Sequence, residues 1–140
     1  MLKFEEPIIV TNSGEIYKTS VDTGRLEFFG DEPHEKGGAD AGPTAHQLFL
    51  ASLGTCTAIT VRMYANRKGW DLKKITVRLN MEKVISGTEE RTLIYKNVQC
   101  EGDLDEKQHE RLLMIADKCP VHKTMLGPIE IKEMSISSLS

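Results

Sequence analysis

The sequence lacks clustered positive charge. Its 18 lysine and arginine residues are scattered over 140 positions and are outnumbered by 21 aspartate and glutamate residues, so the net charge is −3. A nucleic-acid-binding face needs concentrated positive charge to displace counterions, and the composition therefore argues against such a partner. The opening residues, MLKFEEPIIV, also lack the basic segment and apolar stretch of a secretory signal. We expect a cytoplasmic protein.

Cysteine is scarce, with three residues in the whole chain. A chain of this length buries a core as one domain without disulfides, and thiols in a reducing compartment form only transient, functional disulfides. A structural zinc site needs about four ligands, and the only closely spaced pair here is Cys119 and His122. Metal binding by this pair with Cys56 or His46 is the weakest hypothesis. We therefore assign no metal and no cofactor.

No long hydrophobic run goes uninterrupted. The most apolar stretch, residues 48–64, is broken by Ser, Thr, Gly and Arg, which favours a buried helix over a membrane span. Thr44 and Gln47 match the T-x-x-Q capping box of a helix start, and Gly69 is placed to cap its end after Lys68. Because apolar residues occur almost all round its first half, we expect this helix to be central and buried on most faces.

The first thirty residues carry three short strand signals. PIIV, EIYKTSV and RLEFF are separated by the turn residues TNSG and DTG, and this regular placement predicts a meander of antiparallel strands. A loop rich in Gly, Pro and Asp follows at residues 30–43. Loops of this length inside compact domains are often functional.

Further strands follow the central helix. KKITVRLNME alternates between apolar and polar residues, which predicts a half-buried strand. Its partner is predicted in RTLIYKNVQC, ending at Cys100, and a last strand in IEIKEMSI, residues 129–136. Because strands cluster before and after the helices, the fold class is α+β with largely antiparallel pairing. The predicted buried face of the alternating strand comprises Ile75, Val77, Leu79 and Met81.

A second helix is predicted to open at Asp103, with Glu106 three residues on, and to stop before Pro120, which disfavours a helical residue ahead of it. Its predicted inward-facing residues are Leu104, Leu112, Leu113, Ile115 and Ala116.

Cys119 and Cys56 have different predicted settings. Cys119 precedes Pro120, which favours the first helical position, so Cys119 is predicted to cap the short helix CPVHKTML. Free backbone N–H groups and nearby His122 and Lys123 would lower the pKa of a thiol there. Cys56 lies some three turns into the central helix, where apolar neighbours would raise its pKa. A nucleophilic Cys56 therefore needs a positive group from elsewhere in the fold.

Packing alone could also explain the cysteines. Free Cys is among the most buried residue types and often simply fills space. That role remains open for Cys56 and for Cys119, and it is the expected one for Cys100, which has no motif around it.

The stretch GGADAGPTAHQLFLASLGTCTAITVRMYANRKGW, followed farther on by CPVHKTM, resembles the OsmC/Ohr family of osmotically inducible and organic hydroperoxide resistance proteins, and in particular its OsmC-like branch. The resemblance implies an α+β fold with antiparallel sheets around a long central helix. It also implies that residues 1–140 form a single domain, that two chains form an intertwined homodimer, and that both active sites lie at the subunit interface.

The resemblance further implies a thiol peroxidase used in oxidative stress defence. Cys56 would attack the O–O bond of an organic hydroperoxide and become a sulfenic acid. Cys119 would condense with it to a disulfide, which a dithiol such as a lipoylated protein would reduce. A resolving thiol beside a sulfenic acid traps it reversibly before over-oxidation.

One position departs from the peroxidase pattern. Those members stabilise the thiolate with an Arg, which a Glu nine or ten residues before the cysteine orients; His46 and Gln47 stand there instead. Our candidate for the Arg is Arg25, although a solvated strand residue is an equally open interpretation. Three acidic residues of the preceding loop remain open as substitutes for the Glu: Glu32, Glu35 and Asp40.

Two functions therefore remain open. The leading one is a cytoplasmic, dimeric organic hydroperoxide reductase without nucleic-acid or membrane partners. The alternative, motivated by the missing Glu, is a non-catalytic OsmC-like module that binds a small apolar or thiol-reactive ligand.

Overall fold

The computed structural model describes residues 6–134, and these cluster into two compact units. The first comprises residues 6–48 and 130–134, and the second residues 49–129. The first unit contains a three-stranded antiparallel meander in the order β1-β2-β3. Its strands are β1 (Ile9–Thr11), β2 (Thr19–Asp22) and β3 (Glu27–Gly30). The predicted meander is confirmed.

The start of β2 falls later than the sequence predicts. The side-chain amide of Asn12 donates to the carbonyl oxygens of Glu15 and Lys18, at 2.9 and 3.0 Å. These bonds fold the intervening backbone into a loop, so only Thr19 onwards pairs with a neighbouring strand. A local side-chain hydrogen bond here competes successfully with the sheet ladder.

The loop at residues 30–43 is organised by the buried carboxylate of Asp31. Its oxygens accept the backbone N–H groups of Glu32, Ala39 and Ala41 at 2.7, 3.3 and 3.1 Å. Burial raises the pKa of Asp31, but the three backbone hydrogen bonds lower it, and the net pKa lies below its ordinary value. The loop also contains one turn of 3₁₀ helix, His34–Lys36.

The central helix, α1, spans Ala45–Lys68 and is capped as the sequence predicts. The backbone N–H of Thr44 donates to Gln47 Oε1 at 2.9 Å, and the N–H of Gln47 donates to Thr44 Oγ1 at 3.2 Å. At the other end, Gly69 adopts a left-handed φ of 71°. Local sequence therefore fixes both ends of α1.

The prediction that α1 is buried on most faces is wrong for the chain described here. Phe49, Ile59 and Met63 are 42, 52 and 66% exposed. Six residues of α1 are buried: Leu53, Gly54, Thr57, Val61, Tyr64 and Ala65. By length and composition α1 could cross a membrane, and 33% of its most apolar window is buried inside the chain. A core helix of a soluble protein satisfies the same criteria.

A long antiparallel hairpin forms the sheet of the second unit. Its strands are β4 (Asp71–Ser86) and β5 (Glu89–Asp103), with Ile75 opposite Cys100 and Leu79 opposite Lys96. The alternation predicted for β4 is confirmed, since its apolar positions are half-buried and Arg78 is exposed. The prediction that β5 ends at Cys100 was wrong, because pairing with the start of β4 carries it on to Asp103.

Two helices follow, α2 (Glu106–Ala116) and α3 (Pro120–Met125). The predicted start of α2 at Asp103 was wrong, because a D-x-x-Q box two residues on takes that role. Asp105 Oδ1 accepts the N–H of Gln108 at 2.8 Å, and Gln108 Oε1 accepts the N–H of Asp105 at 2.9 Å. The core of the unit comprises Val61, Tyr64, Ala65, Leu72, Leu112, Ile115 and Ala116. Leu113, predicted to face inward, is 47% exposed.

The last predicted strand, at residues 129–136, does not form over its described part. Residues 129–134 have no strand structure, and Ile131 is 97% exposed because no strand of residues 6–134 pairs with it. Residues 135 and 136 lie outside the described residues.

Candidate active site

Cys119 lies at the N-terminus of α3, as the sequence predicts. It is fully buried, its backbone is extended, and Pro120 occupies the first helical turn after it. Its sulfur accepts the backbone N–H of His122 at 3.2 Å. The helix start therefore offers backbone donors directly to this sulfur.

The helix α1 contributes a second polar contact to the same sulfur. The buried hydroxyl of Thr57 lies 3.7 Å from Cys119 Sγ and 2.8 Å from the carbonyl oxygen of Leu53. A hydroxyl carries one proton, so these two acceptors share it, and the carbonyl is the closer one. Thr57 consequently links α1 to the start of α3.

Cys56 is adjacent to Thr57 on α1 and is half-buried. Its neighbour in the helix, Thr57, contacts the Cys119 sulfur, and the Cys56 thiol is one of the groups that lower the pKa of Cys119. Its other polar neighbour is Thr60 Oγ1, at 4.0 Å. Both cysteines are free thiols. The structure thus places both cysteines that the sequence singles out next to Thr57, Cys56 as its neighbour in the chain and Cys119 through its hydroxyl.

The pKa of Cys119 lies below its ordinary value despite burial. Burial raises the pKa, but the N–H groups of His122 and Val121, the Cys56 thiol and the Thr57 hydroxyl all lower it. Hydrogen bonds to the charged form favour that form. The direction agrees with the prediction from the backbone N–H groups, whereas the charges of His122 and Lys123 are not among its causes.

The described residues of the second unit place no Lys, Arg or His side chain in hydrogen-bonding contact with the Cys56 sulfur. Arg62, farther along α1, donates instead to the carbonyl oxygens of Leu72 and Lys73. The positive group that a nucleophilic Cys56 needs thus does not come from these contacts.

Arg25, the sequence candidate for this group, lies exposed in the β2–β3 turn of the first unit. His46 and Gln47 are also exposed, and Gln47 is occupied by the capping box. Among the acidic candidates, Glu32 is half-buried, whereas Glu35 and Asp40 are exposed. A role for Arg25 stays a prediction.

Lys96 is a polar residue of this region that sequence reasoning missed. It lies opposite Leu79, on the half-buried face of the hairpin, and its side chain is 12% exposed. Its Nζ lies 3.3 Å from the Ala116 carbonyl oxygen, 3.4 Å from Asp117 Oδ1 and 3.4 Å from His122 Nδ1. The sequence signal that could have identified it is a lysine at an inward-facing position of a strand whose apolar and polar residues alternate.

A cleft of about 220 Å³ lies beside Lys96 and His122. Its other lining residues are mainly apolar: Leu53, Thr92, Ile94, Met125 and Leu126. This lining suits an apolar ligand group more than a charged one.

Cys100 does not share the lowered pKa of Cys119, and the pair Cys119 and His122 forms no metal site with the other described residues. Cys100 packs half-buried against the core, where burial raises its pKa and Arg62 partly opposes the change. His122 contacts Cys119 through its backbone N–H, whereas its ring faces Lys96. Within residues 6–134, no group of three or more His, Cys, Asp and Glu side chains is placed to hold a metal ion.

Comparison with protein families matches residues 37–134 to the family described as OsmC-like protein. Comparison with the curated proteins finds no match.

Solved structures with the same fold include an OsmC-like protein from Mycoplasma pneumoniae, with a TM-score of 0.71 and 16% identity over 99% of this chain and 94% of that one. An organic hydroperoxide resistance protein OsmC from Legionella pneumophila matches with a TM-score of 0.65 and 19% identity over 91% and 93% of the two chains. The organic hydroperoxide resistance protein OhrB of Bacillus subtilis matches with a TM-score of 0.61 and 23% identity over 90% and 95%. At these identities the likeness establishes the α+β fold with antiparallel sheets and a long helix.

Proposed function

This chain belongs to the OsmC-like protein family, and from that membership we propose that it is a cysteine-based organic hydroperoxide reductase acting in oxidative stress defence. Two of the structural relatives are described as organic hydroperoxide resistance proteins. The observation that carries the proposal is the placement of two free thiols around Thr57: Cys56 precedes it in α1, and its hydroxyl lies 3.7 Å from Cys119 Sγ.

The chemistry begins at the half-buried thiol. The Cys56 thiolate attacks one oxygen of the hydroperoxide and breaks the O–O bond, which gives Cys56–SOH and, after proton uptake, an alcohol. Sulfur is oxidised by two electrons and the peroxide is reduced by two.

The buried thiol completes the cycle. The Cys119 thiolate attacks the sulfur of Cys56–SOH, which forms the Cys56–Cys119 disulfide and releases water after proton uptake. The lowered pKa of Cys119 increases the thiolate fraction at a given pH, and the thiolate is the form that attacks. An external dithiol, such as that of a lipoylated protein, then reduces the disulfide and restores both thiols.

Activation of Cys56 requires a positive charge that its helix does not supply. We assign this role to Arg25, following the arginine of the peroxidase members. The exposed apolar residues of α1, including Ile59 and Met63, support an intertwined homodimer in which a second copy covers them. The proposed protein is cytoplasmic, is built from one domain over residues 1–140, and has no nucleic-acid or membrane partner.

The test measures consumption of cumene hydroperoxide with dithiothreitol as the reductant. We expect the wild type and Cys100→Ser to turn over, and Cys56→Ser to lose at least about 100-fold of the rate, since the nucleophile is absent. Cys100→Ser is the matched control because it also removes one half-buried thiol. A wild type that consumes no peroxide and loses no thiols on exposure would refute the proposal.

The alternative is a non-catalytic OsmC-like module that binds a small apolar or thiol-reactive ligand. The observation in its favour is that His46 and Gln47, rather than a carboxylate, precede Cys56, together with the lack of a hydrogen-bonded cation at Cys56 within the described second unit. Oxidation of Cys56 no faster than that of free cysteine would favour this alternative.

A further inference from the structure

The ammonium of Lys96 has an unusual place for a lysine. Lysines are almost never buried unless paired, yet this one lies on the inward face of β5 with a side chain 12% exposed. Sequestering its charge costs free energy unless its donors are satisfied. Its Nζ donates to the Ala116 carbonyl oxygen at 3.3 Å, forms an ion pair with Asp117 Oδ1 at 3.4 Å and lies 3.4 Å from His122 Nδ1.

These three acceptors come from consecutive parts of one segment. Ala116 is the last residue of α2, Asp117 caps that helix, and His122 lies in α3. Cys119 lies between them. The ammonium thus holds together the two ends of the short connection that carries the buried thiol.

The contact with His122 also depends on the tautomer of its ring. An ammonium can only donate hydrogen bonds, so a hydrogen bond here requires the tautomer in which Nδ1 of His122 carries no proton. The backbone N–H of the same residue donates to Cys119 Sγ. Lys96 therefore acts on the sulfur through the residue that supplies its shortest hydrogen bond.

We propose that Lys96 is a positioning residue for the Cys119 thiol, which fixes the α2–α3 connection so that the backbone donors of α3 point at the sulfur. Two of the four groups that lower the pKa of Cys119 are backbone N–H groups of α3, from Val121 and His122. Both donors depend on the placement of α3. This inference deepens the proposed function, because it assigns control of the resolving thiol to a residue outside the two-cysteine motif.

The experiment measures alkylation of Cys119 by iodoacetamide as a function of pH, with Cys56→Ser and Cys100→Ser as the common background. Only the thiolate reacts, so the pH midpoint reports ionisation and the high-pH plateau reports access. We expect Lys96→Met to move the midpoint upward and to slow the reaction at neutral pH about fivefold, the loss of about one hydrogen bond. Lys96→Arg should stay within about twofold of the background, since it keeps the charge and the donors.

Lys83→Met is the matched control, because Lys83 belongs to the same hairpin and pairs with Glu90 but is exposed. It should leave the midpoint unchanged. Thermal unfolding establishes that each variant is folded at the assay temperature. A midpoint for Lys96→Met equal to that of the control, or Lys96→Arg behaving like Lys96→Met, would overturn the proposal.

If Lys96→Met does not fold, His122→Ala decides, since it removes one anchor of the ammonium and keeps the backbone donor. We expect an upward midpoint shift smaller than that expected for loss of the whole Lys96 ammonium. An unchanged midpoint overturns the proposal. No peroxide is used, so a negative result here is distinct from failure of the peroxidase assay.

Discussion

The surroundings of Cys56 and Cys119 differ in almost every physical respect. Cys119 is fully buried and is served by four groups that lower its pKa, two of them backbone N–H groups. Cys56 is half-buried in the middle of a long helix, with Thr60 Oγ1 at 4.0 Å as its other polar neighbour. A helix interior offers no free N–H groups, whereas a helix start does.

This difference separates readiness to ionise from access to a substrate. The thiol whose pKa is lowered is the buried one, and the thiol with more exposure lacks a local activating group. In the proposed cycle this suits Cys119 to resolve a sulfenic acid that is already formed beside it. It leaves the first step dependent on a group outside the immediate helix.

The largest expected effect on the two thiols comes from removing each sulfur in turn under single-turnover conditions. We expect Cys56→Ser to abolish sulfenic acid formation, a loss of at least about 100-fold, because no nucleophile remains on α1. Cys119→Ser should still form one sulfenic acid at Cys56 and then stop, since no second thiol can displace the hydroxyl. A dimedone-type probe followed by mass spectrometry identifies the oxidised residue. Sulfenic acid on Cys119 in the wild type would reverse the assigned roles.

Removing the candidate activating charge should affect only the first of the two thiols. Arg25→Met is expected to slow oxidation of Cys56 by stoichiometric hydroperoxide about tenfold, because an opposite charge near a thiol favours its ionised form. The pH midpoint of Cys119 alkylation should not change. Arg91→Met removes another exposed arginine and serves as the control. If Arg25→Met matches that control, the activating cation lies elsewhere.

The smallest expected effect comes from the hydroxyl that contacts Cys119. Thr57→Val removes one cause of the lowered pKa, so the pKa rises, the thiolate fraction at neutral pH falls, and alkylation of Cys119 slows about threefold. Unfolding free energy should fall by about 1 kcal/mol, because the Leu53 carbonyl loses a partner. Thr57→Ser retains the hydroxyl and should resemble the wild type. Equal midpoints for the Val and Ser variants would show that the Thr57 hydroxyl does not lower the pKa of Cys119.

The features that the sequence predicted well are those set by neighbouring residues. The Thr44–Gln47 box and the capping position of Cys119 depend only on side chains within one turn, and both are confirmed. The same logic explains the error at α2, where Asp103 and Asp105 both satisfy the capping pattern. Strand pairing decided between them, because Asp103 pairs with Asp71 and stays in β5.

The features that the sequence missed depend on distant partners. Lys96 gains significance only when β5 is placed against β4 and when α2 and α3 reach its ammonium. Similarly, the exposure of Met63 follows from how little of α1 the second unit covers, which the composition of the helix does not reveal. Local patterns therefore located the two thiols, whereas the polar contacts around them required the fold.

The β4–β5 hairpin has a consequence for dynamics. Two-stranded ribbons are marginally stable in water unless they are covered. The base of this one, near Ile75, Val98 and Cys100, packs against the core, and Lys96 farther along contacts the α2–α3 connection. At the tip Ile85 is 73% exposed. Amide hydrogen exchange should therefore quicken from base to tip in an isolated chain. Tip protection that increases with protein concentration would show that another copy of the chain shields this end.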